Sequence, residues 1–161
     1  VYHRYLEKSI PEATEHLENL TQKHTAQFNY LPELRHTFTA FSDTTTHLQK
    51  QEEEVIFPYI RQLARAYQNT ESYAPLLVRT LRKAVDQIML REQKTIEEHI
   101  LKMRELTHNY TPPDNACISH KVTLMKLMEL DYDTVQHTYL ENEILYPRML
   151  SMETELINQR D

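Results

Sequence analysis

None of the 161 residues is glycine. Primed hairpin turns require positive φ at their central positions, which glycine reaches without steric cost, so a sheet of tight hairpins is hard to build from this chain. Long helices joined by short loops make no such demand. The length is that of one domain able to bury a real core. No apolar run approaches the ~18 residues of a membrane span and no signal peptide is visible, so no membrane partner is expected. A formal net charge of −6, spread along the chain rather than gathered in a tail, argues against nucleic acid as a partner. The single Cys117 cannot form an internal disulfide, which fits a reducing, cytoplasmic compartment or a buried bystander. Because the sequence starts at Val1 rather than Met, it is expected to be a fragment of a longer protein, with 1–161 forming one domain.

Helical periodicity runs through four blocks. In the first, about 2–27, His3, Leu6, Ile10, Ala13, Leu17, Leu20 and His24 recur at alternating steps of three and four, with Pro11 expected to kink the helix. Phe38, Phe41, Thr45, Leu48, Glu52 and Val55 form the stripe of the second, about 33–68. Met89, Gln93, Ile96, Ile100 and Met103 mark the third, about 75–107. Leu127, Leu130, Thr134, His137, Glu141 and Ile144 mark the fourth, about 117–158. The breaks between blocks are short and contain Pro or Asn, the strongest being Asn109 to Asn115 with its Pro112-Pro113 pair. The fold class expected is all-α, an antiparallel up-down-up-down four-helix bundle.

Two segments of this helical frame read almost alike. His47-Leu-Gln-Lys-Gln-Glu52-Glu-Glu-Val-Ile-Phe-Pro58 and His137-Thr-Tyr-Leu-Glu141-Asn-Glu-Ile-Leu-Tyr-Pro147 each place a histidine before a glutamate, and each glutamate precedes a proline by six residues. Four residues along a helix return side chains to one face, about 6 Å apart, so His137 and Glu141 can reach one metal ion. Imidazole with carboxylate suits iron, manganese or zinc better than calcium or magnesium. Counting from the loops puts His3, the 47–52 region, Gln93 and the 137–141 pair at one level of the expected bundle. His24 lies roughly 31 Å from His3 along the first helix at 1.5 Å per residue, which excludes it as a ligand.

The opening Val-Tyr-His3-Arg-Tyr-Leu-Glu-Lys-Ser-Ile-Pro11, the two Glu-to-Pro segments, Thr111-Pro-Pro…Ala-Cys117 and Leu-Glu141-Asn-Glu-Ile-Leu-Tyr-Pro-Arg148 together resemble the hemerythrin-like domain of the iron–sulfur cluster repair family (RIC/ScdA). The resemblance covers essentially the whole chain. It implies a four-helix bundle with a non-haem di-iron centre, whose matching ligands here are His3, Glu52, His137 and Glu141, with the two glutamates bridging. It also implies repair of clusters damaged by nitric oxide or oxidants, with diatomic ligands (nitric oxide, oxygen) and damaged iron–sulfur proteins as partners, and a small cysteine-bearing domain ahead of Val1.

Two departures from that pattern bear on the ligand set. Five residues separate His47 from Glu52 where four separate His137 from Glu141. On a regular helix five residues turn about 500°, leaving the side chains roughly 140° apart. Either a π-bulge near 47–52 turns His47 inward as a further ligand, or Leu48 faces the interior and His47 points away. At the third helix Gln93 stands where the family pattern has histidine, with Glu92 and Glu97 adjacent. Tyr2 and Tyr132 are candidates to orient the histidines. His99, His16, His36, His108 and His120 carry no spacing argument and are expected at the surface. The methionines at 89, 103, 125 and 128 read as core filling. The main rival is a module that reversibly binds or senses oxygen, nitric oxide or iron. A third reading is a bundle whose metal site has degenerated.

Overall fold

The computed structural model describes residues 2–158, and among these every regular element is helical, with no strand. Helices α1 (Tyr2–His24), α2 (Leu31–Gln51), α3 (Phe57–Asn69), α4 (Ala74–Leu106), α5 (Ile118–Leu140) and α6 (Tyr146–Asn158) make four helical runs, because α2 leads into α3 and α5 into α6 through short π-turns. No helix among the described residues is long and apolar enough to cross a membrane. α1 stays α-helical through Pro11, whose side chain is exposed.

The two π-turns explain where simple periodicity fails. They occupy Glu52–Ile56 and Glu141–Leu145. Each is closed by a five-residue backbone bond, from the Phe57 N–H to the Glu52 carbonyl and from the Tyr146 N–H to the Glu141 carbonyl. The next residue in each case is proline, which has no N–H and whose ring collides with the carbonyl four residues back in a tight helix. Widening the turn by one residue relieves that clash and restores hydrogen bonding just ahead of the ring. Downstream faces are consequently displaced by one position. Ile56, not Val55, is fully buried, and Tyr146 is buried while Ile144 is 58 % exposed, which corrects the inward placement expected of Val55 and Ile144.

Without glycine, left-handed positions fall on other residues. Thr70 caps α3 at φ 54°, with its N–H on the Ala66 carbonyl. Beyond α4, three consecutive residues, His108, Asn109 and Tyr110, have φ of 48°, 57° and 59°. Thr107 Oγ1 steadies this turn by accepting the Tyr110 N–H at 2.8 Å, and the Asn109 N–H returns to the Arg104 carbonyl at 2.8 Å.

The chain divides into two compact units, Val1–Thr46 with Lys94–His137 and His47–Gln93 with Thr138–Asp161. The first buries Leu6, Leu17, Phe38, Phe41, Ile100, Met103, Leu124 and Leu127. Asp131, also buried, accepts Arg104 Nε at 2.7 Å, Arg104 Nη2 at 2.6 Å and the Tyr110 hydroxyl at 2.8 Å. Within the second unit α3 packs on α6, and Ile56, Tyr59, Leu63, Val78, Val85, Tyr146, Met149 and Leu156 form its core. One of its buried acids, Glu153, accepts the Tyr59 hydroxyl at 2.5 Å and lies 3.3 Å from Arg82 Nε. Each unit therefore neutralises one interior carboxylate with one arginine and one tyrosine.

Candidate metal centre

In the second unit the π-turns set the acids. Glu52 and Glu141 are the first residues of their turns, and both are buried. Their carboxyl groups lie close enough for each to act on the other. Burial, then the neighbouring Glu141 charge and hydrogen bond, push Glu52 up to about 9. Gln93 Nε2 donates to Glu141 Oε2 at 3.1 Å. Tyr146 is buried beside the two acids. Burial first, then the charges of Glu141 and Glu52, raise the Tyr146 phenol above its usual value.

His47 does not join them. Its side chain is 57 % exposed, with Nδ1 3.8 Å from a Glu92 carboxylate oxygen, while Leu48 is buried. The expectation of an inward His47 is corrected, and the reason is local. The π-turn begins at Glu52, C-terminal to the pair, so it leaves the registers of residues 47 and 48 on an ordinary α-helix.

The first unit brings His3 and His137 together. Their ring centroids are 6.1 Å apart, edge to face, and one nitrogen of each lies within 4.8 Å of the other. Tyr2 stacks on His137 at 3.8 Å between centroids and 15° between planes, and its hydroxyl donates to Thr134 Oγ1 at 3.0 Å. Tyr2 thus orients His137 by stacking. Tyr132 is 63 % exposed and accepts a bond from Gln136, so it is not positioned to orient either ring.

Two histidines elsewhere in this unit have other roles. His24 ends α1, with Nε2 3.7 Å from Sγ of Cys117, which is exposed rather than buried. His120, expected at the surface, is fully buried. Its Nε2 pairs with the Tyr30 hydroxyl at 2.6 Å and its ring meets Phe28 edge-on at 4.6 Å. Burial, with a smaller contribution from His24, lowers its pKa below the usual histidine value.

The first unit thus pairs two imidazoles and the second pairs two buried carboxyl groups. Imidazole and carboxylate donors are those that suit iron, manganese or zinc. The sequence placed Gln93 at this level, but not its hydrogen bond to Glu141.

No protein-family model matches the chain. The iron-sulfur cluster repair protein ScdA of Staphylococcus haemolyticus is 24 % identical over 145 residues, covering 90 % of this chain and 61 % of that protein. The iron-sulfur cluster repair protein YtfE of Yersinia pseudotuberculosis is 24 % identical over 149 residues, 92 % of this chain and 61 % of its own length. A probable iron-sulfur cluster repair protein of Haemophilus influenzae is 30 % identical over 111 residues, 69 % of this chain and 43 % of that protein. The chain spans about three-fifths of the ScdA and YtfE proteins it matches. Over nine-tenths of its length, the chain is related to the iron–sulfur cluster repair proteins of the ScdA and YtfE type.

Proposed function

We propose that this chain is a non-haem iron protein of the cytoplasm that serves in the repair of iron–sulfur clusters damaged by nitric oxide or oxidants. His3, Glu52, His137 and Glu141 are the residues that would hold iron. The observation that carries the reading is the pair of buried glutamates, each the first residue of its own π-turn. Two interior carboxylates pressed together oppose folding unless a proton or a cation lies between them. Deprotonated, the two carboxylates would offer anionic oxygens to a divalent ion, which would relieve their mutual repulsion.

Within this reading each residue has a task. His3 and His137 supply neutral imidazole nitrogens, and Tyr2 holds the plane of the second ring by stacking. Glu52 and Glu141 supply anionic oxygens. Gln93 donates to Glu141 and so orients it, the support that outer groups commonly give to metal ligands. Bound iron with an open coordination position contributes the capacity to bind diatomic molecules such as nitric oxide or oxygen. Damaged cluster proteins are the macromolecular partners, as the names of the related proteins suggest.

The test is to purify the chain anaerobically with ferrous iron and measure iron by elemental analysis. Reactivation of a [4Fe–4S] enzyme inactivated by nitric oxide is then assayed. The expected result is tight iron, lost in His137→Ala and Glu52→Ala, together with reactivation that depends on it. A protein that takes up no iron refutes the metal centre. Iron uptake with reversible diatomic binding and no reactivation makes the chain a carrier or sensor instead.

A further inference from the structure

We propose that the outward face of α5 is a docking surface for a second copy of this chain, with the two α5 helices paired antiparallel. The surface lies wholly within the first unit and is independent of the metal reading.

Two apolar stripes run along α5. The inner one buries Leu124, Leu127 and Leu130. The outer one is Ile118, Met125, Met128, Tyr132 and Val135, each between 46 % and 81 % exposed. Met125 and Met128, expected in the core, instead face outward. Ile118, Met125 and Tyr132 stand seven residues apart, and Met128 and Val135 follow Met125 and Tyr132 by three. That is the a and d spacing of a two-stranded coiled coil, in which one helix seats its side chains between those of another. A helix apolar all round is normally covered all round. By contrast α1, in the same unit, exposes Arg4, Glu7, Lys8, Glu15 and Glu18.

Lys121, at the remaining d position, chooses the orientation. A parallel pair sets the two Lys121 ammonium groups against each other in one layer, where like charges repel. An antiparallel pair instead brings each a residue level with a d residue of the other copy. Ile118 then meets Val135, Met125 meets Met128, and Tyr132 meets Lys121, every contact being made twice about the two-fold axis. The Lys121 stem covers the Tyr132 ring while its ammonium stays at the ring face or in water. Each seam position from 118 to 135 thus finds a compatible partner on an identical helix, and this self-complementarity selects a second copy as the occupant. The exposed parts of the five apolar residues amount to roughly 500 Å² per copy, so a pair covers about 1,000 Å², the lower limit for a specific interface. A dimer with a micromolar dissociation constant is the expected consequence.

Sedimentation velocity of the purified chain between about 1 and 200 μM follows the exchange of monomer and dimer. Dimer is expected to dominate at the upper end. Met125→Glu combined with Tyr132→Glu is expected to stay monomeric throughout, losing about a hundredfold or more in association with its helical circular dichroism unchanged. Glu15→Lys, on the charged face of α1, is expected to dimerise as the parent does. A nitroxide on Cys117, which is exposed and is the one cysteine of the chain, reports orientation by pulsed electron paramagnetic resonance. In the antiparallel register the two Cys117 residues lie about 28 Å apart along the axis, whereas a parallel pair brings them to about 10 Å. A chain that remains monomeric over the whole range overturns the proposal, as does a dimer that the double variant leaves intact. A distance near 10 Å overturns the antiparallel pairing. Should the double variant not fold, Val135→Glu supplies the same comparison, and sedimentation decides the face by itself where the label loosens the pair.

Discussion

Arg104→Ala should be among the most destabilising single changes in the first unit. Asp131 is 3 % exposed and accepts three hydrogen bonds, two of them from one guanidinium. Removing the arginine leaves the carboxylate buried with only the Tyr110 hydroxyl. Breaking a buried ion pair in this way costs about 3–5 kcal/mol. The Arg104 side chain is 38 % exposed, so solvent screens part of the interaction and the lower end, about 3 kcal/mol, is expected. For a chain of this size each kcal/mol shifts Tm by about 2–4 °C, giving a fall of about 6–12 °C. Circular-dichroism melting of metal-free protein at pH 7, with a urea titration as a second probe, measures it. The same physics makes a less intuitive demand. Replacing both partners together, as in Arg104→Met with Asp131→Leu, removes the charge along with its neutraliser and should cost far less than the sum of the two single changes. A fall of less than about 2 °C for Arg104→Ala, or strict additivity in the double variant, would refute the reasoning.

Other outcomes follow from individual residues. Glu52 is a carboxyl group raised to about 9, so the folded state retains a proton that the unfolded chain releases near its ordinary value of 4.5. Metal-free protein should therefore lose stability as pH rises from about 4.5 towards 9, and Glu52→Gln should flatten that slope in urea midpoints taken across the range. His120 has the opposite dependence. Its pKa is lowered by burial, so the unfolded chain takes up a proton below its ordinary value of 6.5 that the folded chain resists. Stability should fall as pH drops through that value, and His120→Phe should remove this acid-side slope in the same urea series. Thr70 pays the steric cost of a left-handed β-branched cap, so Thr70→Gly should raise stability by about 1 kcal/mol, seen as a Tm increase of about 2–4 °C.

Much of the helical frame was legible because stripes such as Leu6–Ala13–Leu17–Leu20 and Ile96–Ile100–Met103 carry their period directly, and because Pro112-Pro113 cannot lie inside a helix. Register past Glu52 and Glu141 was not legible by the same means. A regular period drawn through either acid points Val55 and Ile144 inward, and only the bond pattern of a widened turn moves burial to Ile56 and Tyr146. The equal spacing from each glutamate to its proline was the available signal. His120 was missed for a different reason. Its cover comes from Phe28 and Tyr30 in and beside a loop, and no helical period describes a loop. For the candidate site, spacing marked the His137–Glu141 pair and the family resemblance added His3 and Glu52, whereas the hydrogen bond from Gln93 to Glu141 depends on a rotamer that no sequence pattern encodes.

In the terms of sequence alignment, each π-turn is a one-residue insertion tied to a proline. Leu48 and Leu63 are both buried and stand 15 positions apart, one more than two heptads, and the same is true of Thr134 and Met149. Deleting one residue between Glu52 and Ile56 brings the count back to two heptads and leaves everything downstream in phase. It also drives Pro58 into an ordinary α-helical ladder, at a cost of about 3 kcal/mol. Deleting the residue and replacing the proline together avoids that cost. The result is a regular helix with its core face kept and its glutamate no longer seated on a widened turn. Related chains should therefore gain or lose the extra residue and the proline as one event, and a chain that has lost both keeps the helix while giving up the seat of the acid.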